Sequence, residues 1–319
     1  MNTAKQNIDE HAVLTGTNKF ELLLFRLGGD ENGEHSELYG INIFKVREIV
    51  AMPPITAVAG SSPYMMGVVN LRGLIIPVID LPGIVGCKPK TGLNIILVTE
   101  FARTTQAFAV ESVEEIIRLD WSQVLSAEGN SAGGMITSIA RLDGDVENTR
   151  LAQVLDVEQI LRQISPPSQP DIDESAIGAQ LLMPPGSVIL AADDSGVARQ
   201  LIESGLTAMG APYIITKTGK EAWERLQTMA DAAEAEGKTI QDKVALVLTD
   251  LEMPEMDGFT LTKKIKQDPR FKSIPVVIHS SLSGATNENH VKSVGADGYV
   301  AKFDVEDLAA ALRKILAHR

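Results

Sequence analysis

Three aspartates, a serine and a lysine each stand at the end of a short apolar run in the C-terminal half of this sequence. Asp193 and Asp194 follow residues 187–192, Asp250 follows 244–249, Ser280 follows 275–279 and Lys302 follows 298–301. Three carboxylates brought close together repel unless a cation neutralises them. Oxygen-only ligation suits a hard ion, and Mg2+ takes one or two carboxylates together with waters and phosphate oxygens. A lysine beside such a cluster offers a point charge to a phosphate oxygen, and a carboxylate is a competent nucleophile towards phosphorus. The chemistry these residue types share is formation of an acyl phosphate on one aspartate, with metal and amine neutralising charge during transfer.

That chemistry requires the runs to lie side by side. The second half alternates apolar runs (187–192, 212–216, 244–249, 275–279 and 298–301) with helical patterns (197–209, 220–235, 258–267, 286–294 and 304–317). The order predicts an α/β fold, a doubly wound five-stranded parallel sheet with helices on both faces. In such sheets ligands bind beyond the C-terminal strand ends, which is where these side chains fall. Taken singly, each has an ordinary reading. Asp194 or Ser195 could simply cap a helix, Ser280 could be a loop serine, and Tyr299 could be sheet packing. The joint placement favours a site.

The second half also resembles the response-regulator receiver domain over its whole length. The resemblance rests on Asp193-Asp194 after a strand, Thr249-Asp250 with Met253-Pro254 and Asp257-Gly258, Ser280, and Gly298-Tyr299-Val300-Ala301-Lys302. It implies that Asp250 accepts a phosphoryl group from a phosphohistidine. It also implies that Asp193, Asp194, Asp250 and the backbone carbonyl of Glu252 hold Mg2+, that Lys302 pairs with the phosphate, and that Ser280 and Tyr299 act as the switch. Three features depart from the family. Phe303 stands where a proline is usual, the second helix runs on into an acidic, alanine-rich stretch (230–243), and Glu252 lies beside the path of attacking water. There its side chain would alter phosphoryl lifetime, an expectation that an unchanged dephosphorylation rate in Glu252→Asn would remove.

A Pro- and Ser-rich stretch, residues 165–185, reads as a linker, leaving 18–164 and 186–319 as domains. The first half shows short β-rich runs at 21–27, 38–43, 74–79, 94–99, 106–110 and 135–140, with a closing helix near 157–164. This is a mostly-β domain of barrel or sandwich character. Val46, Ile49 and Val50 have helical spacing and read as core, with a sticky rim as the alternative. Trp121 reads as a packing residue or a partly exposed anchor. Asn70-Leu71-Arg72-Gly73 sits between two apolar runs, as a tight turn would, with Arg72 projecting as a contact point. Turns favour Asn and Gly in any case.

The first half resembles the chemotaxis coupling-protein (CheW-like) domain. The motifs are Tyr39-Gly40-Ile41-Asn42-Ile43, Val46-Arg47-Glu48-Ile49, Pro53-Pro54-Ile55-Thr56 and the Asn-Leu-Arg-Gly segment with its following Leu-Ile-Ile-Pro-Val-Ile-Asp-Leu. The resemblance implies two small five-stranded β-barrels, with Asn70, Arg72 and Gly73 near the surface facing a receptor. A coupling domain followed by a receiver resembles the CheV-type chemotaxis scaffold. It implies methyl-accepting chemoreceptor cytoplasmic tips and a receptor-coupled histidine kinase as partners, with phosphorylation serving adaptation. A phosphate sink that drains the kinase is the alternative, and a phosphatase or enzymatic output a third. The expectation is a non-enzyme, since the first half offers no nucleophile–base pair.

Composition agrees with this. The 319 residues carry a net charge of −13 with the acid excess in both halves, and no basic patch suited to nucleic acid or anionic lipid. No apolar run approaches the roughly 20 residues of a membrane span. The N-terminus has no signal-peptide pattern, and Cys87 is the single cysteine. The expected location is the cytoplasm, at receptor arrays, without membrane insertion.

Overall fold

The structure, a computed structural model, describes residues 19–29, 36–101, 104–127, 134–143, 149–164, 180–280, 294–302 and 305–317. The chain forms two compact units that divide between Ser168 and Gln169. The helix expected at 286–294 and the geometry at Phe303 fall outside the described residues, apart from position 294. No helix among the described residues is long and apolar enough to cross a membrane.

The first unit holds two sheets. Strands β1 (Lys19–Arg26), β2 (Leu38–Asn42), β8 (Ser112–Asp120), β9 (Val124–Ser126), β10 (Ile136–Arg141) and β11 (Leu151–Leu155) form one, in the order β8-β1-β2-β11-β10-β9. Strands β3 (Val46–Ala51), β4 (Met65–Leu71), β5 (Leu74–Asp80), β6 (Ile95–Phe101) and β7 (Thr104–Val110) form the other, in the order β3-β6-β7-β5-β4. The first sheet thus has six strands where five were expected, because the short β9 adds an edge.

Chain connectivity makes both sheets curl. β8 and β9 are opposite edges of the first sheet, yet only Trp121–Gln123 joins them. Laid flat, five strand spacings put those edges about 24 Å apart, whereas the chain from Asp120 to Val124 reaches at most about 14 Å. The edges must therefore come round towards each other. In the second sheet the chain leaves β3 at Ala51 and already bridges β4 at Thr56, which exchanges two 2.8 Å backbone hydrogen bonds with Val68.

Packing explains why β1 reads as a continuous apolar run. Leu22 and Leu24 point into the first sheet's own core with Phe20, Leu119 and Val154, while Leu23 and Phe25 enter a core shared between the sheets. A strand buried on both faces has no polar alternation. β7 does the same with smaller residues: Ala107 and Ala109 fill the second sheet's interior and Phe108 and Val110 the shared core. Helix α2 (Val157–Ile164), coming after the short α1 (Leu81–Val85), closes the shared core through Val157 and Ile160. Trp121 packs against Phe20 at a 38° tilt with ring centroids 4.8 Å apart, a packing role.

Val46, Ile49 and Val50 lie on a strand, which corrects the helical reading. The register of β3 against β6 shifts between Val46 and Glu48. That bulge puts Val46 and Ile49 on the shared core and turns Val50 to the second sheet's core. An i, i+3 spacing results without a helix.

The second unit is the parallel sheet expected. Strands β12 (Val188–Ala192), β13 (Tyr213–Thr216), β14 (Val244–Thr249), β15 (Val276–Ser280) and β16 (Gly298–Ala301) run in the order β13-β12-β14-β15-β16, all parallel. Helices α3 (Gly196–Ala208) and α6 (Val305–Leu316) cover one face through Ile202, Leu206, Leu308 and Leu312. Helices α4 (Gly219–Ala235) and α5 (Gly258–Gln267) cover the other through Ala222, Leu226, Leu261 and Ile265. Leu181, within the stretch read as linker, is buried in this unit's core and donates its N–H to Met209 O at 3.0 Å.

Candidate functional site: a carboxylate–lysine cluster at the strand ends

Strand register delivers the cluster. Ala192 of β12 pairs with Thr249 of β14, so the next residues, Asp193 and Asp250, leave the sheet side by side. The Asp250 N–H donates to Ala192 O at 2.8 Å across that join. Ser280 closes β15 opposite Ala301, and Lys302 follows at once, its N–H donating to Ser280 O. The switch point of the strand order, between β12 and β14, lies directly beneath.

Carboxylate oxygens of Asp193, Asp194 and Asp250 all lie within 4.8 Å of one another. Lys302 Nζ sits 2.9 Å from Asp193 Oδ2 and 2.8 Å from Asp250 Oδ2, with its side chain 3% exposed. The remaining oxygens are held by backbone: Asp250 Oδ1 accepts from Leu251 N at 2.7 Å and Asp193 Oδ1 from Ser195 N at 3.0 Å. Asp193 is fully buried, and burial holds its carboxyl well above the usual carboxylate range. Lys302 opposes that rise, while Asp250 and Asp194 add to it.

One ammonium against three carboxylates leaves an uncompensated negative charge in a largely desolvated place. An oxygen-only donor set with that charge fits a hard divalent cation such as Mg2+. Asp193, Asp194 and Asp250 would hold it. Glu252 lies two residues beyond Asp250 in the loop to α5 and is partly buried.

The loop after Asp250 is built to keep that strand end in place. Gly258 opens α5, and a Cβ there would stand 2.0 Å from the Asp250 backbone oxygen, so only glycine fits. Asp257 caps that helix, accepting from Thr260 N at 2.6 Å. Ser280 is buried at the cluster's margin. Tyr299 packs its ring with Leu251, Ile278 and Phe259, and its hydroxyl oxygen is buried. Ser195 caps α3, as one ordinary reading of the acidic pair had it, and the pair joins the cluster as well.

The first unit's expected contact residues gather at the β4–β5 hairpin. Leu71 pairs with Leu74, leaving Arg72 and Gly73 as a two-residue turn with φ of 52° and 89°. These left-handed values match a type I′ turn. Asn70 Oδ1 accepts from Gly73 N at 2.9 Å, so Asn70 and Gly73 serve the turn. Arg72 projects outward, 72% exposed, and its Nη2 reaches Glu48 Oε2 at 2.9 Å. Glu48 was quoted in a motif but not singled out. It lies on β3, the opposite edge strand from β4, so this ion pair spans the seam of the curled sheet. Arg199 was also passed over, although a cation in the first turn of a helix is a signal in itself.

Comparison with known proteins agrees with both halves. The CheW-like domain family matches residues 21–165 and the response regulator receiver domain family residues 189–313. The chain is 31% identical over 308 residues to chemotaxis protein CheV3 of Helicobacter pylori, covering 93% of this chain and 95% of that protein. It is 30% identical over 328 residues to chemotaxis protein CheV2 of the same organism, covering 98% and 99%. Among solved structures, the scaffolding protein TtCheW from Thermoanaerobacter tengcongensis aligns with 43% of this chain and 88% of its own, at 27% identity and a TM-score of 0.37. The chain belongs to the CheV family of chemotaxis coupling proteins, in which a CheW-like domain is followed by a response-regulator receiver domain.

Proposed function

We propose that this coupling protein links the cytoplasmic tips of methyl-accepting chemoreceptors to the receptor-coupled histidine kinase, and that the kinase regulates it by phosphorylating Asp250. The supporting observation is the Lys302 amine lying within 3 Å of both Asp193 and Asp250 inside a three-carboxylate cluster. Asp250 acts as the nucleophile. One of its oxygens forms a bond to phosphorus as the P–N bond of the donor phosphohistidine breaks, and the leaving imidazole takes up a proton. Bound Mg2+ would supply charge neutralisation for the incoming phosphoryl oxygens. Lys302 turns part of its charge from carboxylate to phosphoryl oxygen.

Phosphorylation adds charge beside Ser280, whose hydroxyl becomes a donor to the new oxygens, and Tyr299 follows by repacking against Leu251 and Phe259. The altered β15–β16 surface shifts the population of states in which the first unit couples kinase to receptors, contributing to adaptation. Recruitment to receptor arrays follows from the contacts of the first unit, with the exposed Arg72 as a receptor-facing group. The protein performs no turnover on a substrate in this reading.

The test is incubation with the phosphorylated kinase and Mg2+, comparing wild type with Asp250→Asn. Labelled phosphate on the wild type and none on the variant is expected. Equal labelling of both would move the acceptor elsewhere.

A further inference from the structure

Arg199 lies in the first turn of α3, and its N–H donates to Ser195 O at 3.0 Å. A helix N-terminus carries partial positive charge and disfavours a cation, and no acidic residue in that turn offsets it. Arg199 therefore breaks a local rule, as residues at functional sites do. Its guanidinium folds back over Gly196, with Nη2 3.6 Å from where a Cβ on that glycine would be. Nη1 then donates to two successive backbone carbonyls, Asp193 O at 2.9 Å and Asp194 O at 2.7 Å.

Two adjacent carbonyls converging on one nitrogen fix both peptide planes of the turn. The other side of the turn is closed by Ser195 N donating to Asp193 Oδ1, and by Ser195 Oγ accepting from Ala198 N at 3.3 Å. With the backbone clamped on one side and capped on the other, the directions of the two acidic side chains are set before any ligand arrives. Nothing in the phosphoryl chemistry above uses Arg199, yet the shape of the acidic pair depends on it.

We infer that Arg199 is a positioning residue for cation binding: it holds the Asp193–Asp194 turn so that both carboxylates meet one divalent ion. The inference rests on the phospho-acceptor reading of the site. Groups that orient metal ligands typically change affinity by about 10- to 100-fold when removed. A planar guanidinium suits a two-acceptor clamp better than an ammonium, which approaches as a point charge.

The experiment is a calorimetric titration of the full chain with Mg2+ alone, in wild type, Arg199→Ala and Arg199→Lys, with thermal unfolding of each in metal-free buffer. Wild type binds, Arg199→Ala binds about 10- to 100-fold more weakly, and Arg199→Lys falls between them. The Mg2+ concentration for half-maximal labelling of Asp250 shifts by the same factor. Arg199→Lys keeps the charge and the aliphatic stem, so it carries the test if Arg199→Ala does not fold. Unchanged Mg2+ affinity in the variants, within about twofold, together with lowered melting temperatures would overturn the inference, since Arg199 would then only brace the helix. A wild type that binds no Mg2+ would overturn the site reading and the inference together.

Discussion

The two candidate sites handle charge in opposite ways. At the strand ends of the second unit, Lys302 and two carboxylates are almost wholly buried, with the amine within 3 Å of both Asp193 and Asp250. In the first unit, the expected contact residue Arg72 stands in solvent and pairs with Glu48 across a sheet seam. Burial raises the energetic stakes of the first arrangement, because each group loses water and must be compensated by its neighbours. Exposure lowers them for the second, since surface ion pairs contribute about 0–1 kcal/mol. A buried excess of negative charge calls for a cation, whereas an exposed arginine on a rigid hairpin is available to another protein.

Gly258→Ala offers the hardest test of the first arrangement. The added Cβ would fall 2.0 Å from the Asp250 backbone oxygen, so either α5 or the acceptor strand end must move. Overpacking of this kind costs about 3 kcal/mol, roughly 10 °C in the melting temperature of a unit this size. Labelling of Asp250 should fall with it. A variant that melts within a degree or two of wild type and is labelled normally would mean that the loop is not fitted to the acceptor.

Asp193→Asn has a smaller effect, of opposite sign. The folded-state pKa of Asp193 is raised by burial. Its contribution to stability is therefore fully present below the unfolded carboxylate value and is lost as pH rises through the folded one. Above the folded-state value, in metal-free buffer, the ionised Asp193 costs stability. The neutral isostere should melt higher there and lose that advantage as the pH is lowered. Thermal unfolding in chelator at pH 5 and pH 8 reads this directly. A variant less stable than wild type at both pH values would show that the Lys302 ion pair outweighs the burial of Asp193.

The same contrast governs how much could be read without coordinates. The parallel strands of the second unit are apolar on both faces, so runs such as Val244–Thr249 pointed both to the element and to the clustered carboxylate that follows it. In the first unit the signal is mixed. The bulge in β3 gave Val46 and Ile49 a helical spacing, and β8 hides its strand behind the charged Glu114, Glu115 and Arg118. The Arg72-Gly73 turn was legible from residue types alone, but Glu48 was not, because it lies 24 positions away and meets Arg72 only after the sheet curls. Arg199 escaped notice for a related reason. Its place in a helix's first turn was visible, but its partners are backbone carbonyls, which residue types do not identify. Leu181 escaped because the prolines around it read as linker throughout.

Arg72→Ala should change stability least of all. The pair with Glu48 is solvent-exposed on the arginine side, so its loss costs at most about 1 kcal/mol. Binding is where the substitution is expected to register. An exposed arginine anchor typically contributes about 2 kcal/mol to an interface, close to a 30-fold loss of affinity, measurable by co-sedimentation with receptor-containing membranes. Glu48→Gln separates the two ways this could arise, because it removes the partner and leaves the guanidinium in place. If Arg72 touches the receptor itself, Glu48→Gln binds nearly as wild type while Arg72→Ala does not. If the ion pair matters only by drawing the β4–β5 hairpin against β3, both variants weaken binding equally. Wild-type binding by Arg72→Ala would remove the hairpin turn from the receptor surface.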